Sequence, residues 1–340
     1  MAEQEFYANI RGLREAYNAK RDSTNLYPPG SKTLRDLDIQ IVKRYSFWYE
    51  DENSSSLQCV RIYDVPGTLS GDILRLNAQL PVLTGDCEIE GDIIRPLENA
   101  PAPPQEYDDD SEDVATVLDL LPVLASVSRE NHFLKQPKYS SEIINFLKCQ
   151  GGTCPGTPLA HVVQLLGKTE DGRLVFPRLV DRRKALGQVQ SLDTYFSWFK
   201  QLVDGVGALH SYGIIHRDLR ADNLLWTTDG TTLFICDLES RWGRRDAPEI
   251  LRNDSLDAGW SEASDIWDIG ECIRYILYGN APINDLVDWQ IPAPFTEIVA
   301  ACQRIDPQQR PSCAELGGML RDLRHRVQGD GAHTLAGNRT

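Results

Sequence analysis

Apolar residues at Phe6, Ile10, Leu13 and Tyr17 recur at helical spacing, which predicts a docking helix over residues 3–20. The pattern then changes. Ile39-Gln40-Ile41-Val42 and Leu57-Gln58-Cys59-Val60-Arg61-Ile62-Tyr63 read as strands around the polar turn Asp51-Glu52-Asn53-Ser54-Ser55-Ser56. Residues 31–98 are therefore expected to form a small, mainly β unit.

Farther along, residues 123–136 read as two short strands around a polar turn at Arg129-Glu130-Asn131, with Lys135 near the end of the second. Glu142-Ile143-Ile144-Asn145-Phe146-Leu147 has helical spacing, and His161 to Gly167 is a β-like run. A further strand is expected over 173–180. The clearest helix is 191–212, with Tyr195, Trp198, Phe199, Leu202, Val203, Val206 and Leu209 on its apolar face and Tyr212-Gly213 as its break. Leu233-Phe234-Ile235-Cys236-Asp237-Leu238 reads as a buried strand carrying an aspartate at its end.

Composition places the boundaries. Pro-rich residues followed by Asp108-Asp109-Asp110-Ser111-Glu112-Asp113 self-repel and bury nothing, so 99–113 reads as a linker. The Gly-, Asp- and Thr-rich residues 327–340 read as a disordered tail. A length of 340 residues with 41% apolar content suffices for one sizeable domain and a smaller one.

The net charge of −15 argues against nucleic acid and anionic membrane as partners, since both are bound through basic patches. The chain has no run of 18 apolar residues, and Met-Ala-Glu-Gln-Glu-Phe-Tyr lacks the basic and apolar regions of a secretory signal. Cytosol or nucleus is the expected compartment. Of eight cysteines, only Cys149 and Cys154 lie close together, and they lack two further ligands at metal-site spacing. Reduced thiols are the expectation.

Against this background one segment carries chemistry. Ile214-Ile215-His216-Arg217-Asp218-Leu219-Arg220-Ala221-Asp222-Asn223-Leu224-Leu225 sets an aspartate five positions before an asparagine between apolar flanks. Asp218 can accept the proton of an incoming hydroxyl while Asn223, at the far end of the same loop, reaches a metal ion. A helix-capping aspartate would explain Asp218 equally well, but it requires nothing downstream. Downstream, in order, come Asp237, then Ala247-Pro248-Glu249, then Ser264-Asp265-Ile266-Trp267-Asp268-Ile269-Gly270, then Asp306-Pro307-Gln308-Gln309-Arg310-Pro311-Ser312.

This ordered set resembles the eukaryotic protein kinase superfamily over roughly residues 123–325. The resemblance implies an α+β, bilobal kinase-like fold, with a small lobe over 114–180 and a mainly helical lobe over 181–326, preceded by the N-terminal β-rich region 1–98. It implies ATP and Mg²⁺ as cofactors and a protein as substrate or partner. Asp218 would be the catalytic base, with Arg220, two positions on, a further catalytic residue. Asn223 and Asp237 would hold the metal. Lys135 would contact the α- and β-phosphates, with Lys138 as the alternative, and Glu142 would fix that lysine. Phe176, Leu179 and Leu225 would line the adenine pocket. His216, Arg217, Glu249, Asp265 and Arg310 would be structural, Glu249 and Arg310 as a buried ion pair.

Four departures qualify the resemblance. Residues 100–122 contain no glycine, so the phosphate-covering Gly-x-Gly-x-x-Gly loop is missing. Asp237-Leu238-Glu239 replaces Asp-Phe-Gly, and Glu249 follows Asp237 by only 12 residues. Only seven residues separate Lys135 from Glu142, which is short for the family. An ATP-dependent protein kinase, with Ser or Thr favoured over Tyr, is the first expectation. A catalytically silent scaffold is the second. A small-molecule phosphotransferase, to which Asp-x-Glu also fits, is the third.

Overall fold

The computed structural model describes residues 3–23, 32–40, 44–51, 57–63, 85–90, 93–103, 110–241, 246–252, 258–279 and 291–336. The chain divides into two compact units. One holds the described parts of Gly12–Asp110, the other those of Met1–Arg11, Ser111–Asn280 and Ile291–Thr340.

Helix α1 (Glu3–Ser23) begins in the larger unit, where Phe6 and Ile10 are buried. Phe6 packs edge-on against Tyr195 and Phe295, with ring centroids 5.8 and 6.0 Å away. Its first turns thus fill a core distant in sequence. The side chain of Tyr17 lies outside the described residues.

The smaller unit is a five-stranded sheet of β1 (Lys32–Gln40), β2 (Arg44–Asp51), β3 (Leu57–Tyr63), β4 (Cys87–Glu90) and β5 (Ile93–Pro96), in that spatial order. Every neighbouring pair is antiparallel except β3 with β4. β1 begins well before the expected Ile39, while residues 41–43 and 52–56, the rest of that strand and most of the expected turn, lie outside the described residues. Strand β2 was not expected. Its alternation buries Ser46 and Trp48, one of them polar, so hydropathy alone does not mark it. The Trp48 indole donates to the Pro101 carbonyl at 3.0 Å, and the Cys59 amide to Asp86 Oδ1 at 2.7 Å.

The larger unit opens with α2 (Ala115–Leu118), β6 (His132–Lys135) and α3 (Ser140–Cys149). β7 (Gly167–Lys168) and β8 (Leu174–Pro177) follow, and the sheet order is β6-β8-β7, antiparallel throughout. After α4 (Arg182–Ala185) comes α5 (Leu192–Ser211), whose N-terminal amide of Thr194 is capped by Ser191 Oγ at 3.0 Å. The hairpin β9 (Leu224–Trp226) and β10 (Leu233–Ile235) is followed by α6 (Pro248–Leu251), α7 (Glu262–Tyr278), α8 (Thr296–Cys302) and α9 (Cys313–Ala336). Tyr195, Trp198, Phe199, Leu202, Val203, Val206 and Leu209 of α5 are all buried, as their spacing predicts. Mixed helix and strand in small sheets agrees with a kinase-like fold.

Three expectations need correction. Residues 123–127 form no strand: Val123 makes a single bridge to Lys168, because β6 has already taken β8 as partner and β7 is two residues long. The run 161–166 likewise makes one bridge, Val162 to Ile235, although Val162, Val163 and Leu165 are buried. A short apolar run marks burial and not strand. Helix α9 continues to Ala336, into the stretch whose composition suggested disorder. It starts on a Ser312–Glu315 cap and meets no proline to stop it. All eight cysteines are free thiols. Among the described residues no helix is long and apolar enough to cross a membrane.

Candidate active site

Helix α5 ends in a turn at Gly213, whose φ of 68° suits glycine. The loop beyond it is clamped from below. Asp265, near the start of α7 and fully buried, accepts from the His216 amide at 2.8 Å and the Arg217 amide at 3.1 Å. The same carboxylate takes a third bond from His210 Nε2, at 2.9 Å. These bonds hold Arg217 at φ 68°, a conformation unusual for a residue with a side chain.

His216 links this loop to the next strand. Its Nε2 donates to the Cys236 carbonyl at 3.0 Å, while Nδ1 accepts from the Asp218 amide at 3.3 Å, a pattern that selects the neutral Nε2–H tautomer. Asn223 donates its side-chain amide to the Asp218 carbonyl at 2.8 Å and to Asp218 Oδ2 at 2.9 Å. The Cys236 amide in turn donates to the Asn223 carbonyl at 3.0 Å. Asp218, Asn223 and the approach to Asp237 are therefore one hydrogen-bonded assembly. Burial pushes the Asp218 carboxyl above its ordinary range, against the opposing pull of the Arg220 guanidinium and of the hydrogen bond from Asn223. Arg220 itself bonds Asp222, Nε to Oδ2 at 3.0 Å.

Above this loop sits Lys135, at the end of β6. Its ammonium donates to Glu142 Oε1 at 2.8 Å, to Glu239 Oε1 at 2.7 Å and to Asp237 Oδ1. The short connection between strand and helix does not keep the pair apart. Of the two lysines considered, Lys135 makes these contacts. Burial would lower its pKa, but Glu142 and Asp237 outweigh it and hold the ammonium above the usual lysine range. Burial drives the Glu142 carboxyl up to about 7 against the pull of Lys135. The second Glu142 oxygen is buried without a hydrogen-bond partner.

The segment that starts at Asp237 is fastened to α3. Asn145 Nδ2 donates to the Leu238 carbonyl at 2.9 Å and to Ser240 Oγ at 3.2 Å, and Ser141 Oγ to the Glu239 carbonyl at 2.7 Å. Arg241 pairs with Glu112 at 3.0 Å and covers the Tyr139 ring at 4.9 Å. The other Glu112 oxygen caps α3 by accepting from the Ser140 amide at 3.0 Å. These bonds hold Asp237 and Ser240 at φ of 64° and 53°, where the family motif would use glycine only after the aspartate. Residues 242–245 lie outside the described residues.

Phe176 is buried on β8, its ring 5.1 Å from that of Phe146 on α3. Leu179 and Leu225 are half-buried near the Val180–Trp226 bridge between the β8 exit and the hairpin. Remote from the polar cluster in sequence, Arg310 binds Glu249 through both guanidinium nitrogens at 2.6 and 2.7 Å and lies 5.0 Å over the Trp267 ring. Its Nε donates to the Arg304 carbonyl at 2.8 Å.

Sequence reasoning missed Glu112, Asn145 and Ser141, and met Glu239 only as the glutamate of Asp237-Leu238-Glu239. Asn145 did carry a signal, being a polar residue one turn after Glu142 on a face otherwise apolar. Glu142, Asp237 and Glu239 place carboxylate oxygens within 4.8 Å of one another around the Lys135 ammonium that they share, and Asp237 with the Asn223 side chain offers the oxygen donors that a hard cation takes. The amides of Leu118, Asp119, Leu120 and Leu121 bond within α2 and its exit and so are not offered to a phosphate.

No protein-family model matches the chain. Among curated proteins it is similar to CBL-interacting serine/threonine-protein kinase 17 of Arabidopsis thaliana, 34% identical over 127 residues, 33% of this chain and 28% of that one. It is similar to mitogen-activated protein kinase kinase kinase 1 of Arabidopsis thaliana, 25% identical over 222 residues, 55% of this chain and 36% of that one. It is also similar to human mitogen-activated protein kinase kinase kinase 7, 27% identical over 159 residues, 37% of this chain and 26% of that one. The chain spans about a third of the length of the curated relatives it matches.

Proposed function

We propose, from the premise that the chain is a divergent protein kinase-like protein, that it transfers the γ-phosphoryl group of ATP to a protein hydroxyl, serine or threonine before tyrosine. One observation carries this reading: Lys135, Glu142 and Asp237 converge by direct bonds, and Asp237 follows the strand that is hydrogen-bonded to the Asp218–Asn223 loop. ATP with Mg²⁺, when bound, would supply the phosphoryl group and the positive charge that neutralises it.

The chain's own residues would divide the work. Asp218, its basicity raised by burial, would accept the hydroxyl proton, and Asn223 would orient that carboxylate through the bond to Oδ2. Asn223 and Asp237 would hold the metal. Lys135 would contact the α- and β-phosphates, with Glu142 fixing its direction. Phe176, Leu179 and Leu225 would take the adenine, residues 114–180 serving as a small lobe and 181–326 as a large one. A protein partner fits better than nucleic acid, given the chain's strong negative charge.

A second reading, a kinase-like module that binds partners without catalysis, has its own support in the missing glycines over 100–122 and in the bonded amides of 118–121. A transfer assay with labelled ATP, Mg²⁺ and a generic protein substrate separates the two. The kinase reading expects Asp218→Asn to lower transfer by about 10²–10⁴-fold without loss of fold. Equal labelling by both proteins, or none by the wild type, refutes it.

A further inference from the structure

An ammonium has three N–H bonds to give. On Lys135 all three go to carboxylates: Glu142, Asp237 and Glu239. None is left for a phosphate oxygen. We propose that the Glu239 carboxylate is an internal plug, occupying the place on Lys135 that a nucleotide's phosphates must take, so that nucleotide enters only as Glu239 lets go. This rests on the phosphotransfer reading above.

The three carboxylates are not equally able to yield. The Glu142 side chain is 1% exposed and stands at the buried end of the cluster, on a helix whose N-terminus is capped by Glu112. Asp237 has a short side chain on a backbone held at φ 64°. Glu239 is 24% exposed and has three rotatable bonds, so its carboxylate can swing off Lys135 while its carbonyl remains bonded to Ser141. Release therefore needs a rotamer change and no unfastening of the segment.

Charge points the same way. Three carboxylates around one ammonium repel a polyphosphate, and Glu239 supplies one of those negative charges at the position where the family motif has glycine. A divalent cation among oxygens this close would give Glu239 a new partner and release Lys135. Nucleotide affinity should accordingly depend on divalent cation more steeply in the wild type than in a protein without this carboxylate.

Titration of a fluorescent ATP analogue into the full chain tests this, comparing wild type with Glu239→Gln, which keeps the shape, and Glu239→Ala, which removes the reach. The plug predicts about tenfold tighter binding in both variants at fixed Mg²⁺, the scale of one charge-assisted hydrogen bond. Where the wild type binds nucleotide, equal or weaker binding in both variants overturns it. A second arm needs no nucleotide: acylation of Lys135 by an amine-reactive ester, followed by mass spectrometry, should run several-fold faster in the variants. Equal rates overturn the plug even where nucleotide binds. Faster acylation with nucleotide binding to none of the three proteins supports the plug and removes the phosphotransfer reading instead.

Discussion

The loop that carries Asp218 and the strand that carries Lys135 are held by different means. The loop rests on buried backbone amides bonded to Asp265, on a histidine in a defined tautomer, and on α5, whose apolar face is wholly inside. The strand belongs to a three-stranded sheet in which Phe133 is 51% exposed, and no glycine loop covers it. Lys135 owes its place to side chains arriving from α3 and from residues 237–239. One half of the site is built into the core, and the other is assembled by charge. The first should resist perturbation until a buried bond is removed, whereas the second should respond to pH and to single surface charges.

The largest expected effect probes the braced half. The Arg310 side chain is fully buried, bidentate on Glu249 and bonded to the Ala263 carbonyl at the start of α7, so Arg310→Ala removes these charge-assisted bonds together and should cost about 3 kcal/mol or more in urea unfolding. A loss below about 1 kcal/mol would show that this half is not braced as described.

The next probes the charged half. Glu142 has its native pKa raised to about 7 from an ordinary 4.5 by burial. A carboxyl raised in the folded state contributes stability that is full below the unfolded value and is lost as pH rises through the folded one. Stability should therefore fall as pH rises from about 4.5 through 7, by about 3 kcal/mol in all, and Glu142→Gln should flatten that slope. An unchanged slope in the variant would assign the pH dependence elsewhere.

The smallest effect sharpens the comparison. Glu112 and Arg241 are each about one-third exposed, and a screened pair of this kind stabilises a fold by roughly 0–1 kcal/mol. Glu112→Gln should leave the unfolding midpoint almost unmoved, yet speed hydrogen exchange in the first turn of α3, which loses its charged cap. Unchanged exchange there would remove Glu112 from the support of Glu142.

What the sequence revealed follows the same division. Helices α3 and α5, β8 and the loop from His216 to Asn223 were legible because each is specified by neighbours a few positions apart. Strand β2 and the single bridges at Val123 and Val162 were not, because pairing is decided by which edge is free after the other strands have paired. The same holds for side chains. Asp237 follows from an ordered motif and Lys135 and Glu142 from the resemblance that motif set up, whereas the Glu112–Arg241 and Asn145–Leu238 bonds join residues 129 and 93 positions apart, which no local pattern encodes. Glu239 was visible as a departure from Asp-Phe-Gly, but its bond to Lys135 needed coordinates.

The central claim is that both halves serve one Mg²⁺-nucleotide, and calorimetric titration of Mg²⁺ with a non-hydrolysable ATP analogue tests it most directly. Wild type should bind at one site, and Asp237→Asn, Asn223→Ala and Lys135→Met should each weaken that binding about tenfold or more. Binding unaffected by all three substitutions would place the nucleotide elsewhere and contradict the account.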